Sequence, residues 1–145
     1  MTRIERRIRS DAEALALGQG IMATQAFCQL IGAQMDIWTT AMVEISVPLR
    51  DELLQQHGYA HGGLLMFLAD TAVTFAAGRL LSGDVLTSEV KINFIRPGKG
   101  QRLIARGYSI GGGRRQATAR CEIFTVSDTG ESLVAAAMGS AVHTT

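Results

Sequence analysis

The sequence predicts an α+β domain in which one long, buried helix is wrapped by an antiparallel sheet of five to six strands. The first observation is the run from His61 to Ala77, which is apolar apart from its start, two threonines and Asp70. This run is too long for a typical strand and contains no turn signal, so it favours a helix that is buried on most sides. The second observation is that alternating apolar and polar segments follow the run, as in half-buried strands. The third is the composition, 47% hydrophobic in 145 residues, which indicates one domain with a substantial core.

A helical extension is predicted over residues 1–32, ahead of the main domain at residues 33–145. Ser10 and Glu13 have the spacing of a capping box. The first helix is therefore expected over Ala12–Leu17, and the next glycine in the chain should stop it near residue 18. The basic run before it is interpreted as a solvated terminus.

A second helix is predicted over Ile21–Ile31, with Gly32 as its C-terminal breaker. The side chains of Phe27, Leu30 and Ile31 are apolar, which predicts that this helix packs on another element.

Two strands are predicted before the long helix, over Ala33–Trp38 and Ala41–Val47. The second alternates apolar and polar residues, so one of its faces should be buried. A polar loop over Arg50–Tyr59 then leads to the long helix, which is expected over Gly62–Leu81 and ends at residues 82–84.

Four strands are predicted after the long helix, each separated from the next by glycine-containing turns. Their ranges are Val85–Ile95, Arg102–Ile110, Arg115–Val126 and Ser132–His143. Long strands joined by short turns indicate an antiparallel meander.

Composition excludes several classes of function. The net charge of +1 gives no general attraction to nucleic acid. Cys28 and Cys121 have no ligand spacing, so we expect reduced core thiols and a cytoplasmic protein without a visible secretory signal. A membrane span is not expected, because Asp70 interrupts the apolar helix. No metal site is expected, because the histidines show no ligand spacing.

Asp70 is the residue that least fits its surroundings. A carboxylate is costly on an apolar helix unless it is paired or used in chemistry. One interpretation is a general base or nucleophile, and the other is a structural acid that caps a loop or pairs with an arginine.

The start of the long helix is the second candidate site. The first N–H groups of a helix have no partner within it and carry the positive end of the helix dipole. Gly62 and Gly63 leave this end uncovered, so a carbonyl oxygen could approach the backbone. Alternatively, the two glycines only permit a tight turn.

The spacing of these two candidates predicts a site shared between chains. Gly63 and Asp70 lie on the same helix face, about 10 Å apart along the axis. An oxyanion donor and a base must both reach one reacting group. One helix cannot supply both, so the helices of two chains would have to lie antiparallel about a two-fold axis.

Other residues are secondary candidates. His61 is either a base or orienting donor beside the helix start, or a structural histidine that fixes the loop. Two basic clusters could contact a phosphorylated ligand or simply be solvated. The first comprises Arg96, Lys99 and Arg102, and the second comprises Arg114 and Arg115. Pocket width is expected to depend on the helix residues Met66, Phe67, Thr74 and Phe75.

Three blocks of sequence resemble the hotdog-fold acyl-CoA thioesterases, specifically the phenylacetic-acid-degradation (PaaI-like) group. They are Gln55-Gln56-His57-Gly58-Tyr59-Ala60-His61-Gly62-Gly63, Leu68-Ala69-Asp70-Thr71-Ala72 and the segment from Thr87 to Pro97. The resemblance covers about residues 40–142. The spacing from His-Gly-Gly to Asp is its most specific part.

The resemblance implies a long helix wrapped in an antiparallel sheet, in a homodimer or homotetramer with active sites at the subunit interface. It implies hydrolysis of an acyl-CoA to a free acid and CoA, with no cofactor, since coenzyme A is part of the substrate. Asp70 would activate water or attack the thioester, and the backbone near Gly63 would bind the thioester oxygen. Thr87 matches a polar position near the reacting centre. Gln55 replaces an asparagine that many members carry.

The acyl group is left open between aryl-acetyl and medium or long chains. The alternative function is a non-catalytic acyl-CoA-binding hotdog protein, which would keep the pocket and lose the base; the presence of Asp70 argues against it.

Overall fold

A computed structural model describes residue 8, residues 10–81 and residues 83–144 of the chain. The helices are α1 Asp11–Thr24, α2 Ala26–Ile31 and α3 Gly62–Leu81, with a 3₁₀ turn at Asp51–Leu53. The strands are β1 Gln34–Trp38, β2 Val43–Pro48, β3 Val85–Phe94, β4 Arg102–Gly112, β5 Gln116–Ser127 and β6 Gly130–His143. The predicted α+β architecture with a six-stranded sheet and one long helix is confirmed.

The six strands form a single antiparallel sheet in the order β1-β2-β4-β5-β6-β3. Strands β4, β5 and β6 make the predicted meander. The expectation that β3 would pair with β4 is wrong, because β3 pairs with β6 at the sheet edge and residues 95–101 carry the chain back to β4 beside β2. A short glycine-containing connection is compatible with either arrangement, so the sequence pattern alone does not distinguish them.

Helix α3 packs on one face of this sheet, mainly against β4, β5 and β6. Its buried side chains include Leu64, Leu68, Ala72 and Val73. The sheet approaches the helix closely at Gly107, where an added Cβ would lie 2.5 Å from the carbonyl oxygen of Ala72. Any side chain at that position would push the sheet away from α3.

One side of α3 is not covered by the sheet. Along it lie exposed Gly63 and the half-buried residues Met66, Phe67, Asp70 and Thr74. We call this set the open stripe. By length and composition α3 could cross a membrane, but half of the apolar window is buried inside the fold, as is usual for a core helix.

The N-terminal helices differ from the prediction in their bounds. Ser10 caps α1 through the N–H of Glu13, as expected, but α1 continues through Gly18 to Thr24. Gly18 is buried, and a side chain there would overlap those of Met35 and Trp38. This glycine is therefore a site of close helix packing rather than a helix stop.

The second helix begins five residues later than predicted, at Ala26, and ends at Gly32, whose φ of 74° is left-handed. Core residues come from both sides of the predicted boundary at residue 32, since Ala14, Cys28 and Ile31 are buried with the main domain. The division into two parts stays a prediction. Most of the predicted basic terminus, and residue 82 at the end of α3, lie outside the described residues.

Candidate active site

Asp70 and Thr87 are joined by a short hydrogen bond at the centre of the open stripe. The hydroxyl of Thr87 donates to Asp70 Oδ1 at 2.6 Å. Thr74, one turn further along α3, donates to the carbonyl oxygen of Asp70 at 2.8 Å, and its hydroxyl lies 2.5 Å from that of Thr87. Among the described residues, no donor contacts the other carboxylate oxygen, Oδ2. Asp70 is therefore oriented through one oxygen and has the other open to a ligand or water.

The start of α3 is capped by the side chain of His61. Its Nδ1 accepts a 2.9 Å hydrogen bond from the N–H of Gly63. Because Nδ1 is an acceptor, the proton of the imidazole ring is on Nε2. The carbonyl oxygen of His61 accepts from the N–H groups of Leu64 and Leu65. The N–H of Gly62 has no partner in the part of the chain that the structure describes. Of the two glycines predicted to bind an oxygen, Gly62 has the open donor and Gly63 is already bonded.

A cavity of about 490 Å³ lies at this end of α3. It is bordered by the loop before the helix, by the first turn of α3 and by the chain that follows β3; its lining includes Gln55, Tyr59, Gly62, Leu65, Phe94 and Arg96. The Gln55 side-chain oxygen accepts a hydrogen bond from the N–H of His57, which leaves the amide NH₂ as the group available to a ligand. The cavity brings three predicted site residues together beside the open peptide N–H.

The predicted site residues thus form two groups within one chain. Asp70, Thr74 and Thr87 make the first, while Gln55, His61, Gly62 and Arg96 surround the helix start. Between Gly62 and Asp70 the helix rises by about 12 Å. The two groups therefore cannot contact one carbonyl group within a single chain.

Arg114 and Arg115 lie at the opposite end of the sheet from Arg96. The carbonyl oxygen of Arg115 bonds the N–H of His143, which pairs with Val85 at the beginning of β3. Arg96 follows the other end of that strand, about 30 Å away. The two arginine groups of one chain cannot bind one phosphate cluster.

Phe27 is a neighbour of the open stripe that our site prediction did not include. Its ring lies 5.2 Å from that of Phe67, measured between centroids, with the planes tilted by 53°. The apolar face of the second predicted helix was the available signal, and Ile31 on that face is buried as expected. Phe27 and Leu30, however, stay 56% and 68% exposed.

Both cysteines are buried free thiols, as predicted. Burial raises the pKa of Cys121 to about 12 and also raises that of Cys28. A thiol with a raised pKa is protonated at neutral pH and is a weak nucleophile. Neither sulfur is therefore a candidate nucleophile.

The fold, the paired Asp70–Thr87 group and the open helix start about 12 Å from it define a hotdog-fold protein with a candidate acyl-transfer site. Comparison with known proteins agrees with this class. A family model described as the thioesterase superfamily matches residues 57–132, and the chain belongs to that superfamily, in its PaaI-like group.

A protein from Deinococcus radiodurans named "Putative esterase" is 29% identical over 99 residues. The match spans 68% of this chain and 66% of that relative, which is just under two thirds of its length. The name of this relative is compatible with the superfamily to which the chain belongs.

Solved structures show the same fold over most of the chain. A thioesterase family protein from Silicibacter pomeroyi has a TM-score of 0.83 and 28% identity, over 90% of this chain and 96% of that one. A mutant of the phenylacetic acid degradation protein PaaI from Thermus thermophilus has a TM-score of 0.71 and 30% identity, over 83% of this chain and 100% of that one. The predicted hotdog fold and PaaI-like resemblance are confirmed.

Proposed function

We propose that this protein is an acyl-CoA thioesterase, which hydrolyses an acyl-CoA to a free acid and CoA. The observation that carries the proposal is Asp70, held through Oδ1 by Thr87 with Oδ2 unpartnered among the described residues. On the same helix, the N–H of Gly62 is open towards a cavity. A carboxylate and an open backbone donor are the two parts that thioester hydrolysis needs.

The active site would be shared by two chains. Because Gly62 and Asp70 of one helix are about 12 Å apart, the donor of one chain would serve the carboxylate of its partner. Antiparallel helices related by a two-fold axis make two such sites in a homodimer, and two dimers would make a homotetramer.

Asp70 would act in one of two ways. As a general base, Oδ2 would take a proton from water as the water attacks the thioester carbon; the tetrahedral intermediate would then break its carbon–sulfur bond, and the departing CoA thiolate would take up the proton. As a nucleophile, Oδ2 would bond to that carbon and expel CoA as the thiolate; water would then cleave the anhydride and restore the carboxylate. In both routes negative charge develops on the thioester oxygen, and the N–H of Gly62 in the partner would bind it. Gly63 could contribute only if His61 turned away.

The remaining site residues would bind substrate. Arg96 borders the cavity at the helix start, where it could contact a phosphate of CoA. In an antiparallel dimer, Arg114 and Arg115 of the second chain come towards the same end of the molecule. Gln55 would donate its amide NH₂ to substrate or water, and the acyl group would lie along Met66, Phe67 and Thr74.

The proposed reaction needs no cofactor besides the coenzyme A of its substrate, because Asp70 supplies the base or nucleophile and the helix start binds the oxygen. Two free thiols are consistent with the cytoplasm, which we propose as the location. Neither nucleic acid nor a membrane has a part in this proposal.

The test is thiol release from a panel of aryl-acetyl, short, medium and long acyl-CoAs, measured beside acyl-CoA binding. The wild type should hydrolyse at least one member, and Asp70→Asn should lower kcat by about 10²–10⁴-fold without changing the oligomer. Asp128→Asn, at an exposed turn, is the matched control and should leave kcat unchanged. Binding without hydrolysis by the wild type would support the alternative, a non-catalytic acyl-CoA-binding protein.

A further inference from the structure

Helix α2 borders the open stripe and leads into β1, at the sheet edge opposite to β3. Phe27 contacts Phe67 of α3 ring to ring, at 5.2 Å between centroids. On the other side of the stripe, Thr87 of β3 contacts Asp70. The carboxylate therefore lies in a trough that has a polar wall from β3 and an aromatic wall from α2.

Phe67 places this aromatic wall close to the reacting group. It precedes Asp70 by three residues, so the two side chains are neighbours on one helix face. Side chains on a helix lean towards its N-terminus, which directs both along the same side of the stripe. The ring of Phe27 then extends the apolar surface outward from Phe67, and 56% of Phe27 stays uncovered.

We infer that Phe27 forms the outer wall of the subsite for an apolar acyl group and determines which acyl-CoAs are hydrolysed. The inference rests on the proposed function. A thioester within reach of Asp70 has CoA on one side of its carbonyl group and the acyl group on the other. The cavity bordered by Arg96 has a cation for the phosphates of CoA, and the Phe27–Phe67 pair is the aromatic surface beside Asp70 that suits an apolar acyl group.

Phe27 lies outside residues 57–132, the part of the chain that matches the superfamily model. The matched segment thus carries the proposed reacting groups, and helix α2 supplies a wall of the acyl subsite. Substrate selectivity would therefore depend on α2, whereas the reacting groups lie on α3 and β3.

The test compares kcat/KM for acetyl-, hexanoyl-, phenylacetyl- and dodecanoyl-CoA in the wild type, Phe27→Ala and Phe27→Trp. Phe27→Ala should change the ratio of kcat/KM for the preferred large substrate to kcat/KM for acetyl-CoA by about 10-fold or more, because a wall of the acyl subsite is removed. Phe27→Trp should shift the ratio towards smaller acyl groups. Inhibition by free CoA should stay within about 2-fold, since the CoA side is untouched.

Ile110→Ala is the control, because Ile110 is a large, exposed apolar residue on β4, away from α2. It should leave every ratio unchanged. An equal loss on all substrates in both Phe27 variants, or no change in either, would overturn the inference while leaving the thioesterase proposal in place. Absence of hydrolysis by the wild type on every substrate would overturn both.

Discussion

The hydroxyl of Thr87 lies 2.6 Å from Asp70 Oδ1 and joins the edge strand β3 to the middle of helix α3. This bond fixes which carboxylate oxygen faces the open stripe. Thr74 lies against the same hydroxyl at 2.5 Å, so two threonines of different elements hold one acid. A carboxylate oriented in this way is ready to act on a substrate without first losing rotational freedom.

Thr87→Val should therefore lower kcat by about 10-fold or more, because Asp70 Oδ1 loses its donor while the side-chain volume is kept. Thr87→Ser restores the hydroxyl and should recover most of the rate. Steady-state kinetics of both variants, with KM within a few-fold of wild type, provide the measurement. Equal activity of the valine and serine variants would show that the hydrogen bond does not position Asp70 for catalysis.

The open N–H of Gly62 can be removed with little change to the fold. Gly62 is the first residue of α3, a position at which proline is well tolerated in helices but has no N–H. Gly62→Pro should lower kcat by about 10²–10³-fold, whereas Gly62→Ala keeps the donor and should stay active. The kcat of the alanine variant is the matched control. If both variants keep wild-type kcat, the N–H of Gly62 does not bind the oxyanion.

The same proline variant tests whether the site is shared. Co-assembly of Gly62→Pro chains with Asp70→Asn chains gives mixed dimers in which one of the two sites has both groups intact. The mixture should be much more active than either variant alone, because each variant alone has a strongly reduced kcat. A mixture that stays inactive after subunit exchange would place Asp70 and its oxyanion donor in the same chain.

The long helix was predictable because the length of the apolar run alone distinguishes it from a strand. The apolar run from Gly62 to Leu81 is longer than strands of this type, and the observed helix has these bounds. The edge position of β3 was not predictable from hydrophobic alternation, since that pattern specifies which face is buried and not which strand is adjacent. The role of Gly18 was not predictable for a related reason. Local sequence suggests that a glycine ends a helix, but Gly18 packs closely on Met35 and Trp38, which is a tertiary contact that local sequence does not specify.

The sequence indicates which residues are candidates for the site, but not the contacts between them. The sequence indicates Asp70 because a carboxylate is costly among apolar residues, whereas only the family resemblance indicates Thr87. The spacing of Gly63 and Asp70 pointed to two chains without any structure. The bond between His61 and Gly63 depends on a side-chain rotamer that sequence patterns do not specify, so the preference for Gly62 over Gly63 required the structure.

His61 is expected to position the helix start rather than to transfer protons. Its Nδ1 accepts from the N–H of Gly63, as an N-cap side chain does. His61→Asn keeps an acceptor at the cap and should retain kcat within about 10-fold, while His61→Ala should lose about 0.5–2 kcal/mol of stability. Urea unfolding and the pH profile of kcat distinguish the roles. An asparagine variant as inactive as Asp70→Asn would make His61 a catalytic base.

Two glycines of α1 should respond oppositely to alanine. A side chain at Gly18 would overlap Met35 and come within 2.8 Å of Trp38, so Gly18→Ala should destabilise the protein by about 1–3 kcal/mol. At Gly20 nothing lies within 4 Å of the added Cβ, so Gly20→Ala should stabilise by about 0.5–1 kcal/mol through helix propensity. Thermal or urea unfolding of both variants measures the difference. A destabilised Gly20→Ala with an unaffected Gly18→Ala would contradict the packing of α1 on β1.

The shared site also fixes where the two-fold axis crosses α3. If Gly62 of one chain faces Asp70 of its partner in antiparallel helices, the axis passes midway, at Met66. Met66→Cys should then form a disulfide between two copies of residue 66 on mild oxidation, because facing side chains at the axis come within bonding range. Cys28 and Cys121 are buried and should not compete.

Leu80→Cys is the matched control for this crosslink. The two copies of this exposed residue would lie about 40 Å apart, measured along the direction of the α3 helices, and should give no covalent dimer on a non-reducing gel. A dimer linked through residue 80 and not through residue 66 would require the helices to meet at their C-terminal ends. The pairing of Asp70 with the partner's helix start would then be geometrically impossible.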